Sequence, residues 1–230
     1  MTVSLFFQHL ANGISLGSLY ALIAIGYTMV YGILRLINFA HGDIVMMGSY
    51  FAFYGVVMFF LPWWVSFPLA ILLTGVVGIL IERTAYKPLR HVPRINLFTS
   101  AVAVSFLLEN LSLVIFGARP KGFQRPPVMD IVFHIGEAAV VSYTPIIVVT
   151  ALVLFGGLTF VVHRTKVGMA MRALSKDIET TGLMGVNTDQ VITFSFALGS
   201  ALAAAGGILW AIKFPQVNPL MGVMPGLKAF

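Results

Sequence analysis

Long runs of apolar residues with almost no charge constrain the fold of this chain more than any other feature. A helix needs roughly 20 apolar residues to cross the hydrocarbon core of a bilayer. The stretch 44–81 is long enough for two such helices, and Pro62 followed by two interfacial tryptophans divides it. The sequence therefore predicts about six spans, within 10–34, 44–81, 95–116, 139–162 and 191–212.

These runs favour α-helices, because they are continuously apolar and do not alternate as barrel strands do. Charged residues make up only 10% of the chain, against about 25% in soluble domains. Too little polar surface remains to cover a water-soluble globule. We predict an all-α, polytopic transmembrane helix bundle that forms a single domain over residues 1–230.

Basic residues in the connectors predict the orientation of the bundle. The connector 83–94 contains four Lys or Arg residues and no acid, and the connector 163–190 contains four against three acids. The positive-inside rule counts the basic residues, so both connectors are expected on the cytoplasmic side, with 117–138 and the N-terminus outside. The net charge of +6 is spread over these connectors and does not form the basic face of a nucleic-acid binder.

The segment 38–43, Asn-Phe-Ala-His-Gly-Asp, follows the first span. Its polar side chains beside a glycine predict a broken or re-entrant helix near residues 36–43, a device that transporters use to aim free backbone groups at a substrate. An ordinary interfacial loop is the alternative. The candidates for a substrate path are Asn38, His41, Gly42 and Asp43.

Glu109 lies near the middle of the fourth span. A carboxylate at that depth costs about 2.5–3.5 kcal/mol on insertion scales unless it faces the bundle interior or is protonated. Glu109 is therefore either a substrate contact or proton site, or a neutral packing residue with hydrogen bonds. A proton site would allow an ion-coupled secondary carrier, which is the alternative function.

Other motifs give little support to an enzyme. The chain has no phosphate loop of the form G-x-x-x-x-G-K-[ST] and no H-E-x-x-H zinc motif. It has no cysteine, and its five histidines lack metal-ligand spacing. We expect no catalytic site, no metal and no cofactor bound by this chain.

Small residues are concentrated from Gly199 to Gly207 in the sixth span, and Gly13 and Gly17 form a similar pair in the first span. Such residues let helices approach closely in lipid. Packing inside one subunit is the favoured interpretation, and contact with another subunit is the alternative.

The connector 163–190 is long for a turn between helices and has few helix breakers from 168 to 183. It predicts one or two short helices, ended by Gly182 and Gly185, with an apolar face. That face would lie on the membrane or insert into a groove of a partner protein. The tail from 213 contains three prolines and is expected to be irregular.

Four blocks of sequence resemble permeases of branched-chain amino-acid ABC importers, and in particular their H-type subunit. The first is Arg-Thr-Lys-Val-Gly-Met-Ala-Met-Arg-Ala at 164–173, followed by Asp177 and by Gly-Val-Asn at 185–187. The others are 38–43, the block 82–90 and the segment 218–230. The resemblance keeps its order along the whole chain. Thr181 and Gly182 stand where members commonly have alanines, and Glu109 stands where a glutamine is usual.

The resemblance implies a multi-pass permease subunit that translocates branched-chain amino acids across the bacterial inner membrane. The implied partners are a related second permease subunit, two cytoplasmic ATPase subunits that use ATP, and a periplasmic substrate-binding protein. Relatives that carry urea or short amides have similar motifs. The family's last spans are absent, so the chain is expected to be C-terminally short. The residues 163–190 would form a cytoplasmic coupling loop that contacts an ATPase through Gly168, Arg172, Asp177, Glu179, Leu183 and Gly185.

Overall fold

A computed structural model describes residues 3–35, 37–90, 92–135 and 138–229 of the chain. The long helices are α1 (Val3–Leu34), α2 (His41–Val57), α3 (Trp63–Ile81), α4 (Arg94–Phe116), α5 (Tyr143–Arg164) and α8 (Thr188–Lys213). The short helices are α6 (Lys166–Leu174), α7 (Ile178–Leu183) and α9 (Val223–Ala229). The predicted all-α transmembrane bundle is confirmed.

Five of the described helices are long and apolar enough to cross a membrane: α1, α3, α4, α5 and α8. The remaining long helix, α2, has 17 residues, which is at the lower end of the length that crosses a bilayer. Its residues 41–50 are all buried. Protein therefore surrounds the first half of α2.

Two helix starts and the tail differ from the prediction. Helix α1 begins at Val3 and not at residue 10. The fifth helix begins at Tyr143 and not at 139, because residues Ala138–Val141 form a strand, β3, antiparallel to β2 (Val132–Ile135). The tail is not irregular throughout: it contains β4 (Gln216–Val217), which pairs with β1 (Lys121–Gly122), and the helix α9. Pro225 lies in the first turn of α9, where a missing N–H breaks no helical hydrogen bond.

Helix α8 lies at the centre of the bundle and contacts α1, α2 and α3. Its small residues permit this, because a Cβ atom at Gly199 would lie 2.9 Å from the carbonyl oxygen of Gly26. Packing inside one subunit is therefore confirmed for α8. At Gly13 and Gly17 an added Cβ would meet nothing within 4 Å among the described residues, so that pair does not serve packing within this part of the chain.

The chain turns back into the bundle between α1 and α2. Helix α1 ends at Leu34, where Arg35 adopts a φ of 49°, yet His41 at the start of α2 contacts the carbonyl oxygen of Ile23 at 3.0 Å. Ile23 precedes Leu34 by eleven residues (34 − 23), or roughly 16 Å of helix at 1.5 Å per residue. Helix α2 therefore begins deep in the bundle, which confirms the broken helix for residues 37–43; Leu36 lies outside the described residues.

Ion pairs place the two basic connectors at the same end of the bundle. Lys87 Nζ lies 2.7 Å from Asp189 Oδ2, and Arg90 Nη1 lies 2.6 Å from Asp189 Oδ1. Asp189 belongs to the connector 163–190 as predicted from the sequence and lies in the first turn of α8. The prediction that these two connectors lie on the same side, with two spans between them, is therefore confirmed.

Candidate functional site

One cavity of about 120 Å³ brings together all five residues that were predicted to form a substrate path. Its size is comparable to the roughly 150 Å³ cavity that admits a benzene ring. The turn before α2, the first turn of α2, α4 and α9 each contribute to the wall. The five predicted residues, Asn38, His41, Gly42, Asp43 and Glu109, are joined there by Phe39, Ser105, Val223, Gly226 and Leu227.

Two carboxylates contribute to the polar part of this wall. Asp43 is buried in the first turn of α2, where the peptide dipoles favour a negative charge. The hydroxyl of Ser105 donates to Asp43 Oδ2 at 2.5 Å. Glu109 lies four residues after Ser105 and so on the same face of α4. Sequence reasoning missed Ser105, although its spacing from Glu109 was a usable signal.

Asn38 and His41 are both fixed by hydrogen bonds to other helices. The Oδ1 atom of Asn38 accepts from the Tyr86 hydroxyl at 2.8 Å. Among the described residues, Asn38 Nδ2 has no hydrogen-bond partner. His41 Nε2 contacts the carbonyl oxygen of Ile23, and because a carbonyl only accepts, that nitrogen is the donor. His41 thus anchors α2 to α1 while it lines the cavity.

Helix α9 closes the cavity through a glycine contact. A Cβ atom at Gly42 would come within 2.5 Å of the carbonyl oxygen of Gly222 and 3.3 Å of Gly226 Cα. Only glycine at 42 lets the two backbones approach so closely. Sequence reasoning missed Val223, Gly226 and Leu227 because it expected the tail to be irregular.

A buried ionic network connects this site to the basic connector. The side chain of Glu82 is fully buried, forms an ion pair with Arg90 and accepts from Thr193 Oγ1 at 2.7 Å. Arg90 pairs in turn with Asp189. Glu82 opens a π-helical turn (Glu82–Tyr86) that extends α3, and Tyr86 at its end holds Asn38.

The two short helices predicted within 163–190 are confirmed as α6 and α7. Thr165 caps α6 by accepting from the amide of Gly168 at 3.0 Å. Arg172 donates to the carbonyl of Val162. An added Cβ at Gly168 would clash with the carbonyl oxygens at the end of α5. Gly168 and Arg172 therefore hold α6 against α5.

Asp177 serves as the N-cap of α7. Its carboxylate accepts from the Thr180 hydroxyl, from the amide of Thr180 at 3.2 Å and from the amide of Glu179 at 2.9 Å. These hydrogen bonds, above all that of the Thr180 hydroxyl, lower the pKa of Asp177. The predicted end at Gly185 is confirmed by its φ of 83°. The same prediction for Gly182 is wrong, because Gly182 lies inside α7. Glu179 is exposed and Leu183 is 84% exposed, so both side chains lie on the surface of the described chain.

Residues 13–17 match the G-x-S-x-G pattern of hydrolases, but the pattern has no catalytic setting here. They lie inside the continuous helix α1 and not at a strand-to-helix turn. Ser15 is buried and accepts from Lys213 Nζ at 3.0 Å. Within the described ranges, no group of three or more His, Asp or Glu side chains could hold a metal ion.

Comparison with known proteins identifies relatives over nearly the whole chain. The high-affinity branched-chain amino acid transport system permease protein BraD of Pseudomonas aeruginosa is 40% identical, covering 98% of this chain and 77% of BraD. The corresponding LivH of Escherichia coli is 36% identical with the same coverages. The ribose import permease RbsC of Haemophilus influenzae is 23% identical over 92% of this chain and 63% of RbsC. No solved structure matches the chain.

The family described as "Branched-chain amino acid transport system / permease component" matches residues 9–230. These relatives are named as permeases of transport systems, and they give no support to the ion-coupled carrier that used Glu109. With its apolar helices and this match, the chain belongs to the branched-chain amino acid transport permeases and is a multi-pass membrane subunit of that family.

Proposed function

We propose that this chain forms part of the pathway by which branched-chain amino acids cross the bacterial inner membrane, driven by ATP that separate subunits hydrolyse. The observation that carries the proposal is the cavity, because residues from two distant segments, 38–43 and Glu109, line it together. The substrate class follows from the names of BraD and LivH. In this proposal the chain has no catalytic site and binds no cofactor.

The cavity suits a small zwitterion with an apolar side chain. Such a solute needs a mostly apolar path with a few polar groups that orient it. Asn38, Asp43 and Glu109 are among the polar groups of the cavity, and Phe39 and Leu227 are among its apolar walls. His41 and Gly42 hold the start of α2 in place beside them.

The connector 163–190 is the proposed cytoplasmic coupling loop, and an ATPase subunit is its proposed partner. Leu183 and Met184, at the end of α7, are 84% and 80% exposed. Exposed apolar side chains at a helix end suit insertion into a groove of another protein. Gly168, Arg172, Asp177 and Gly185 shape the loop, and Glu179 lies on its exposed surface. The related second permease and the periplasmic binding protein complete the proposed assembly.

Closure of the two ATPase subunits would pull on α6 and α7 and move the spans as rigid bodies, which gives alternating access. The contacts of Arg172 and Gly168 with the end of α5 would transmit that motion. The ion pairs of Asp189 would carry it to the connector that holds Arg90.

Reconstituted uptake tests the proposal. Proteoliposomes that contain this chain, the second permease and the two ATPases, with the binding protein present, should accumulate radiolabelled leucine only when ATP is supplied. Glu109→Gln should retain most of this uptake, since a glutamine keeps hydrogen-bonding capacity at that position. Uptake that follows a proton gradient without the ATPases, and is lost in Glu109→Gln, would contradict the proposal.

A further inference from the structure

We infer that the groove between the extension of α3 and the start of α8 binds one anionic phospholipid: the Arg83 guanidinium holds its phosphate, and an acyl chain lies against Ile79 and Phe194. Such a site concerns the lipid around the permease and not the transported solute, so it goes beyond the proposed function. The groove has a volume of about 720 Å³, against roughly 150 Å³ for a cavity that admits a benzene ring. It lies at the end of the bundle that contains both basic connectors.

The walls of the groove are two helix faces that both change from apolar to polar. On α3 and its π-helical extension, Ile79 is followed at four-residue spacing by Arg83 and Lys87. On α8, Phe194 has Gln190 one turn closer to the helix start. Residues four apart share a face of a helix. The groove is therefore apolar towards the middle of the bundle and polar towards the connectors, as the boundary between hydrocarbon and headgroups requires.

Arg83 supplies a positive charge that no carboxylate of the described chain neutralises. The residue is exposed and forms no ion pair within the described ranges. The neighbouring cations Lys87 and Arg90 are paired with Asp189 and Glu82. Three cations against two carboxylates leave one positive charge beside the groove, which matches the negative charge of a phosphodiester. The planar fork of a guanidinium also fits two phosphate oxygens at once.

Lys87 adds donors to the same end of the groove. Its side chain is 48% exposed, and its Nζ lies 2.7 Å from Asp189 Oδ2. An ammonium group has three donors, so two remain for another acceptor. Basic pockets between transmembrane helices on the cytoplasmic side are typical sites for anionic lipid headgroups. A phosphate held by Arg83 and Lys87 together would extend the ionic network that ends in Glu82.

The depth of the groove favours a lipid over a soluble protein. Ile79 and Phe194 both belong to helices that are long and apolar enough to cross a membrane. Phe194 is 40% exposed, so the described chain leaves the apolar half of the groove uncovered. A cytoplasmic ATPase subunit would cover the basic end and leave this apolar half open. An acyl chain below a phosphate fills both halves.

Native mass spectrometry of the full chain, released from detergent micelles, tests the inference. The probe is phosphatidylglycerol, compared with phosphatidylcholine that carries the same acyl chains. The wild type should retain one phosphatidylglycerol in preference to phosphatidylcholine. Arg83→Gln should weaken phosphatidylglycerol about five-fold, the effect of one basic residue near an anionic lipid surface, and leave phosphatidylcholine unchanged. The matched control is Arg119→Gln, which removes an exposed cation beyond the opposite end of α4 and should leave both lipids unchanged.

A second variant tests the other wall of the groove and serves if Arg83→Gln does not fold. Gln190 is exposed, so Gln190→Glu changes the charge of the groove without a change in buried packing. The added carboxylate would repel the phosphate and compete for Arg83. Phosphatidylglycerol should therefore bind about five-fold or more weakly, while phosphatidylcholine binds as to the wild type.

Equal retention of the two lipids by the wild type, or equal losses in Arg83→Gln and Arg119→Gln, would overturn the inference. Displacement of phosphatidylglycerol by millimolar inorganic phosphate would assign the basic end to a soluble anion and overturn it as well. If Arg83→Gln kept phosphatidylglycerol but lost co-purification with the ATPase subunits, the groove would be a protein contact instead. Since none of these readouts depends on leucine uptake, the lipid site and the proposed function can fail independently.

Discussion

Replacing Glu82 by alanine should destabilise the bundle more than the loss of an exposed ion pair does. The Glu82 side chain is 0% exposed and that of its partner Arg90 is 12% exposed. Removing one member of a buried pair costs about 3–5 kcal/mol, because the other charge is left without compensation. Arg90 keeps a second partner in Asp189, so the expected loss for Glu82→Ala lies at the lower end, about 3 kcal/mol.

Glu82→Gln should cost less than the alanine variant. A glutamine keeps an acceptor oxygen for Thr193 or Arg90 and removes only the charge, so the expected loss is about 2 kcal/mol, in the range of a charged hydrogen bond. The free energy of unfolding should therefore rise from Glu82→Ala to Glu82→Gln to the wild type.

Unfolding in mixed micelles with increasing dodecyl sulfate, followed by tryptophan fluorescence, measures these free energies. The matched control is Asp130→Ala, which breaks the pair with Arg125 where the acid is 60% exposed and should cost less than about 1 kcal/mol. Equal, small losses for Glu82→Ala and Asp130→Ala would refute the view that the buried network stabilises this end of the bundle.

Three further predictions concern transport and coupling. Gly42→Ala should displace α9 and reduce ATP-driven leucine uptake, because its Cβ would meet the Gly222 carbonyl; Gly13→Ala, with open space around it, should not, and equal uptake by both would be contrary evidence. Leu183→Ser should weaken co-purification with the ATPase subunits, whereas Val128→Ser, an equally simple loss of an exposed apolar side chain on another connector, should leave it intact. The lowered pKa of Asp177 means that its cap stabilises α7 fully above the ordinary aspartate pKa and loses this effect as the pH falls through the folded-state value. The protection of the α7 amides against hydrogen exchange, measured relative to the intrinsic exchange rate at each pH, should fall in that acidic window. Asp177→Asn, which still caps but does not titrate there, should abolish this pH dependence of the protection.

The sequence predicted the membrane helices because their apolar runs are long and uninterrupted. It failed at residues 139–141. This short apolar run continues directly into the apolar run of α5, and its pairing with the strand 132–135 depends on tertiary structure. The tail was misjudged because prolines were taken as breakers, although Pro225 is tolerated in a first helical turn.

The candidate site was only partly predictable. The polar residues of 38–43 stand out from their apolar surroundings, and Glu109 does so as well. Ser105 could have been found from its spacing to Glu109. The network of Glu82, Arg90 and Asp189 could not, because Asp189 is far away in the sequence and its pairing depends on how α3 and α8 pack.

The return of the chain between α1 and α2 affects how far a solute has to travel. Because α2 begins beside Ile23, roughly 16 Å from the end of α1, a molecule held by Asp43 would sit about half-way through a hydrocarbon layer about 30 Å thick. The solute would then be about 15 Å from either face of that layer, so it would need a polar path towards each of them.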